Sequence, residues 1–246
     1  MINRFLALIF LVLFQITAFA QNWGGGVDEE TLHFGFTFQY ISSEYKILKK
    51  GDWQEPFQNE FGEFIPGSRP EDSLMSISSP VTPGFGLGFV TDLRLGKHLN
   101  LRLTPALTFT DRSLDYNYRD SALFQPRKLQ ATMVDLPIGI KLKSDRRKNY
   151  RAYLIGGIKY SQDIISKKKT DNTDRPDLEK LVKNTRNILS YEAGIGLDLY
   201  FEFFKLSPEI KLSNSFNNVL QAEDHVYSKP IDKLFLRNLQ FSLYFE

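Results

Sequence analysis

Over most of this chain apolar side chains recur at every second position, a pattern that admits strands with one greasy face and little else. In Leu32–Tyr40 the residues Leu32, Phe34, Phe36, Phe38 and Tyr40 share one face, and His33, Gly35, Thr37 and Gln39 share the other. Phe85, Leu87 and Phe89, continued by Leu93 and Leu95, oppose Gly84, Gly86, Gly88, Asp92 and Arg94. Leu99, Leu101, Leu103, Leu107 and Phe109 oppose Asn100, Arg102, Thr104, Ala106 and Thr108. The pattern returns in Val134–Lys143, Arg151–Asp163, Leu189–Leu199, Leu206–Leu212 and Leu239–Glu246. About eight strands of roughly ten residues result, the length a tilted strand needs to cross a bilayer.

The connections alternate in length. Gly96–His98, Ser144–Asn149 and Phe201–Phe204 are short, whereas Lys49–Pro80, Arg119–Arg127, Ser166–Asn187 and Phe216–Lys233 are long. Short periplasmic turns and long outer loops are the layout of a membrane barrel, and an even strand number places both termini in the periplasm.

Alternation alone is also the pattern of a soluble barrel with its apolar face inward. Three features weigh for lipid outside. The polar face carries charges of both signs in near balance, it is rich in glycine, which makes room in a narrow lumen, and the chain ends on an alternating aromatic strand. The 21 Phe and 11 Tyr suit strands that meet lipid and its interfaces. The expected fold is therefore all-β: an eight-stranded antiparallel up-and-down transmembrane barrel with a polar, side-chain-filled lumen.

The start of the chain reads as an export leader. Met1–Arg4 is a short basic start, Phe5–Phe14 is apolar, and Ala18-Phe19-Ala20 offers small residues for cleavage before Gln21. The apolar run is short for a membrane anchor. The expected organisation is a signal peptide over residues 1–20, a periplasmic segment over 21–31 and the barrel over 32–246. The absence of Cys leaves stability to sheet closure and a core, and a net charge of +2 makes no electrostatic case for nucleic acid.

Several segments resemble the PorT/SprT family of the Bacteroidetes: Leu136-Pro137, Tyr153–Gly157, Glu192-x-Gly194-x-Gly196-x-Asp198-x-Tyr200 and, most specifically, Phe203–Lys211 with Pro208 and Glu209 inside a strand. Leu136 departs from the Phe expected before that proline, and Lys49–Pro80 does not align. The resemblance implies an outer-membrane component of the type IX secretion system, which exports cargo carrying a C-terminal signal domain and in many species supports gliding motility. It implies no catalytic residue and no cofactor. The alternative is a general OmpX-like barrel for adhesion or envelope integrity.

Three histidines, His33, His98 and His225, are scattered and lack zinc-site spacing, so neither catalysis nor a metal is expected. The expected partners are outer-membrane lipid and other secretion subunits, with no small-molecule substrate. Asp92, Arg102, Asp135, Lys159, Glu192, Glu209 and Lys211 are expected to form a polar network in the lumen, because opposite charges taken out of water must pair. Trp53, Phe57, Phe61 and Phe64 mark a loop that either contacts a partner or folds over the barrel mouth. Pro105, Pro137 and Pro208 fall within strands and predict local bulges. Lys167-Lys168-Lys169 and the basic turn at Lys143–Lys148 are candidate contacts for lipid phosphate and for an acidic periplasmic partner.

Overall fold

The computed structural model describes residues 31–55, 74–119, 125–164 and 179–246. The expected signal peptide, and residues 21–30 of the segment after it, lie outside these. Twelve strands follow in chain order: β1 (Leu32–Lys49), β2 (Leu74–Ser78), β3 (Thr82–Arg94), β4 (Leu99–Leu103), β5 (Ala106–Tyr118), β6 (Gln125–Lys143), β7 (Tyr150–Asp163), β8 (Lys183–Asn184), β9 (Asn187–Tyr200), β10 (Lys205–Ser215), β11 (Leu220–Gln221) and β12 (Ile231–Phe245). β2 with β3, and β4 with β5, are each two halves of one stave, while β8 pairs only with β11. The remaining antiparallel pairings close a ring of eight staves, sealed where β1 meets both β3 and β12. Within the lipid band closure leaves no unpaired edge, which a strand in lipid could not tolerate; above it β2 pairs with β5 alone and β1 beyond Ser43 with β12 alone.

Which face looks outward is decided by exposure. Phe34 is 68% exposed and Phe89 71%, whereas Asp92 is 0% and Arg102 1% exposed. The greasy row of β1 from Leu32 to Tyr40 spans about 26 Å at ~3.3 Å per residue, or about 20 Å of height at a tilt of roughly 40°. At the upper limit of this band Tyr40, Phe85 and Phe109 are neighbours in register, and the rings of Phe85 and Phe109 stack with centroids 5.0 Å apart. At the lower limit Phe201 and Phe204 stack at 4.7 Å, and Phe203 is 86% exposed. Such aromatic girdles mark the two membrane interfaces.

The strands run longer than the expected ten residues. β1 has 18 and β6 has 19. Their upper ends leave the lipid band, and β2 occupies ground expected to be loop.

The prolines do not make bulges. Leu103 faces Ile138 and Ala106 faces Asp135, so the register of the broken stave against β6 is continuous across Pro105 and Pro137. Each proline forfeits one bond of a two-bond pair and keeps the other through its carbonyl: Thr104 N–H donates to Pro137 O at 3.2 Å, and Phe89 N–H to Pro105 O at 2.9 Å. At Pro208 the pairing with β9 lapses over Ser207 and Pro208 and resumes at Glu209 in the same register. The register shifts that do occur are at Leu48/Lys49 and Leu74/Ser76, near the upper rim.

Candidate functional site: a lumen in two storeys

In the lower storey, within the lipid band, alternate residues of every stave point inward and most are polar. Arg102 on β4 lies at the centre. Its Nη2 is 2.8 Å from Asp92 Oδ2 on β3 and 2.8 Å from Glu246 Oε1 beyond β12, and its Nη1 is 3.3 Å from Glu209 Oε2 on β10. The Glu209 carboxylate also accepts from Tyr153 Oη at 2.9 Å and from Tyr244 Oη at 3.0 Å. Lys211 reaches Glu209 at 3.5 Å and Glu192 at 3.1 Å, and Lys159 meets Glu192 at 3.2 Å. On the other side Lys141 Nζ is 2.7 Å from Asp198 and 3.6 Å from Asp92, while Lys205 is 2.6 Å from Glu246. Ser207 donates to Asp198 at 2.7 Å and Asn100 to Asp92 at 2.5 Å.

The seven residues singled out from the sequence are all buried. Six of them form one connected chain, and Asp135 stands at its margin, 3.9 Å from Lys159 and taking a bond from Thr108 at 3.3 Å. Lys141, Asp198 and Glu246 share the polar face of their strands and were legible by parity. Lys205 was missed because it directly follows the short turn, where alternation has only begun.

The lower storey is packed rather than hollow. Tyr153 lies in register with Gly196, and a methyl group at Gly196 would overlap the tyrosine ring. Eight strands enclose only enough width for side chains. Here the space is taken by aromatic rings and by charges held against opposite charges, which is the condition for keeping them out of water.

Above the lipid band the lumen is mainly apolar, with Arg112 buried in it, its Nη2 2.7 Å from Met133 Sδ and its guanidinium 5.9 Å from the Tyr45 ring. Tyr45, Leu114, Tyr116, Met133, Leu234 and Leu236 belong to a buried core that the sequence reading did not anticipate. The residues after β10 fold over it. Val219, Leu220, Val226 and Tyr227 are buried there, and Val182 joins them from the residues before β8. Tyr116 Oη donates to Tyr227 O at 2.6 Å, and Arg127 lies 4.2 Å over the Tyr227 ring. Asn218 ties the cover down, its Oδ1 accepting from Leu220 N at 3.0 Å and from Leu234 N at 2.8 Å. Lys183 pairs with Glu223 at 2.6 Å.

Of the expected contact loop, Trp53 is partly buried against this core with Lys49 Nζ 3.9 Å from its ring. Phe57, Phe61 and Phe64 lie outside the described residues, as do Lys167, Lys168 and Lys169. The three histidines stay apart. His33 is buried on β1, His98 Nδ1 is 3.0 Å from Lys143 O in a turn, and His225 Nδ1 accepts from Tyr227 N at 3.2 Å in the cover. At the lower rim a hydrogen bond from Lys97, 3.2 Å away, holds the Asp145 carboxyl below its ordinary value.

Residues 19–221 match the family described as outer membrane protein beta-barrel domain. No curated protein matches the chain. Similar solved structures include the outer membrane protein OprG from Pseudomonas aeruginosa, at 11% identity over 87% of this chain and 92% of that one with a TM-score of 0.43. Ail, the attachment invasion locus protein of Yersinia pestis, in complex with a heparin analogue, is 9% identical over 86% of this chain and 96% of that one, with a TM-score of 0.36. AlkL in DMPC bilayers is 11% identical over 86% and 87%, with a TM-score of 0.35. With the ring, its lipid-facing wall and its polar lumen in place, the matched residues show that the chain belongs to the outer membrane protein β-barrel domain family.

Proposed function

We propose that this barrel is a non-catalytic outer-membrane component of type IX protein secretion, needed for export of cargo with a C-terminal signal domain and, where the host glides, for motility. The reading includes delivery by the signal peptide over residues 1–20, followed by a periplasmic segment over 21–31. The observation that carries it is where the PorT/SprT-like segments fall. Tyr153, Glu192, Asp198, Lys205, Ser207, Glu209 and Lys211 all belong to those segments, and all point into the lower lumen. The resemblance thus lies in the residues that fill and set this barrel.

A filled lumen leaves no passage for a polypeptide, so the barrel acts through its wall and rims, as a fixed element against which larger secretion subunits are held. A deletion strain tests this. Loss of cargo from the medium, restored by the plasmid-borne gene and accompanied by co-purification with secretion subunits, is the expected result. Normal export with altered adhesion would transfer the protein to the OmpX-like class. Large, stable single-channel currents from the purified protein in planar bilayers would overturn the filled-lumen mechanism.

A further inference from the structure

The lipid-facing wall is not smooth. Across β6, β7, β9, β10 and β12 one register row of outward side chains is Leu142, Leu154, Ile195, Ile210 and Phe241. Two residues lower the row is Ser144, Ala152, Leu197, Pro208 and Leu243, in which Ser144, Ala152 and Pro208 are short. Lower again come Tyr150, Leu199, Leu206 and Phe245, all large. A groove of about 680 Å³ lies over Ser144, Ala152, Leu197 and Pro208, walled above by Leu142, Leu154, Ile195, Ile210 and Phe241, and it reaches Gly196 and Glu209 where the β9–β10 ladder lapses at Pro208. The groove ends at Ser144, which opens the turn to β7. That turn carries Arg146, Arg147 and Lys148 against the single carboxylate of Asp145, which is already engaged with Lys97. Arg146 lies over the Tyr200 ring at 4.0 Å, whereas Arg147 and Lys148 are exposed.

We propose that the groove holds an acyl chain of an anionic phospholipid in the periplasmic leaflet, with its phosphate met by Arg147 and Lys148. The tall rows above and below the short one are four residues apart on each strand, about 13 Å at ~3.3 Å per residue. The flanking side chains narrow that width. What remains suits one hydrocarbon chain and is too narrow for a helix of about 10 Å diameter. The chain's direction follows from the row, which runs obliquely from the basic turn into the bilayer. Charge complementarity sets the headgroup, because a lysine or arginine at a membrane surface favours anionic lipid by roughly fivefold. The inference is independent of any export role.

The test uses full-length protein reconstituted into nanodiscs of equal phosphatidylglycerol and phosphatidylethanolamine, released into mild detergent and weighed by native mass spectrometry. Wild type should retain one lipid, enriched in phosphatidylglycerol by about tenfold or more. Ala152→Phe, which fills the groove from the lipid side, should cut retention at least fivefold; Leu197→Trp serves the same end if the first variant folds poorly. Arg147→Gln with Lys148→Asn should keep the lipid and bring the headgroup ratio close to one. Absence of retained lipid in the wild type, retention unchanged by groove filling, or no headgroup preference would each overturn the proposal. So would a photoreactive group at position 197 that cross-links in membranes to a protein instead of to lipid.

Discussion

The lower and upper storeys of the lumen are built from the same strands under opposite rules. On β12, Asn238, Gln240, Ser242 and Tyr244 point inward below while Leu239, Phe241, Leu243 and Phe245 point out. Higher on the same strand Leu234 and Leu236 point inward, and Lys233 and Arg237 point out. β6 makes the same exchange between Met133, inward and apolar, and Val134, outward and apolar. The geometry of the strand does not change at these points; the surroundings do. Where lipid lies outside, the apolar set faces out and the charges must be satisfied within. Where water lies outside, the ordinary hydrophobic effect returns and the apolar set turns in. The parity at which greasy residues fall is thus a depth gauge, and its reversal marks the upper membrane surface.

Substitutions ordered by expected effect test this contrast. Leu234→Asp places a carboxylate in the apolar storey at a site with no exposure, and should cost more than about 4 kcal/mol in urea unfolding from micelles. An unchanged midpoint would show that the upper storey is not a core. Arg102→Met in the lower storey removes the cation shared by Asp92, Glu209 and Glu246, leaving these carboxylates to lysines alone, and should cost about 3–5 kcal/mol by the same assay. If it is tolerated as readily as an exposed change, the lumen is wet and the storeys are not opposites. Gly196→Ala forces a methyl group into the Tyr153 ring and should cost about 1–3 kcal/mol, with a lower temperature for loss of the compact gel band. Tyr116→Phe removes the donor to Tyr227 O and should cost about 1 kcal/mol, with faster amide exchange in the cover over β11. Arg237→Gln breaks an exposed pair with Glu44 at 3.4 Å and should shift stability by less than about 1 kcal/mol.

The lower storey was legible because each strand there has a uniform period-two pattern, and parity alone assigns Glu192, Glu209 and Lys211 to one face. The upper storey was not, because its inward residues have the parity of the lumen but the chemistry of the wall. Tyr45 follows Glu44 and precedes Lys46, which reads as a lapse in the pattern unless the outer medium is known to change. The cover was hidden for another reason. Tyr227 and His225 lie in an aperiodic stretch whose burial depends on contacts with Tyr116 and Arg127, a hundred residues or more earlier. The prolines misled because a missing donor suggests a bulge, whereas a retained carbonyl bond is enough to hold register.

The partners of Arg102 are contributed by β3, by β10 and from just beyond β12, while Lys141 on β6 reaches Asp198 on β9. Single pairs close within a hairpin, as Asp92 with Arg102 and Glu192 with Lys211 do, but Arg102 also engages Glu209 and Glu246, and Asp198 takes Lys141 from β6. The β9–β10 hairpin, with Glu192, Asp198 and Glu209 against Lys205 and Lys211, would enter the bilayer alone with a carboxylate still lacking its cation, a cost that works against sequential threading. Full cancellation of charge comes only when the first and final staves meet, which favours insertion of a sheet that has already largely rounded up.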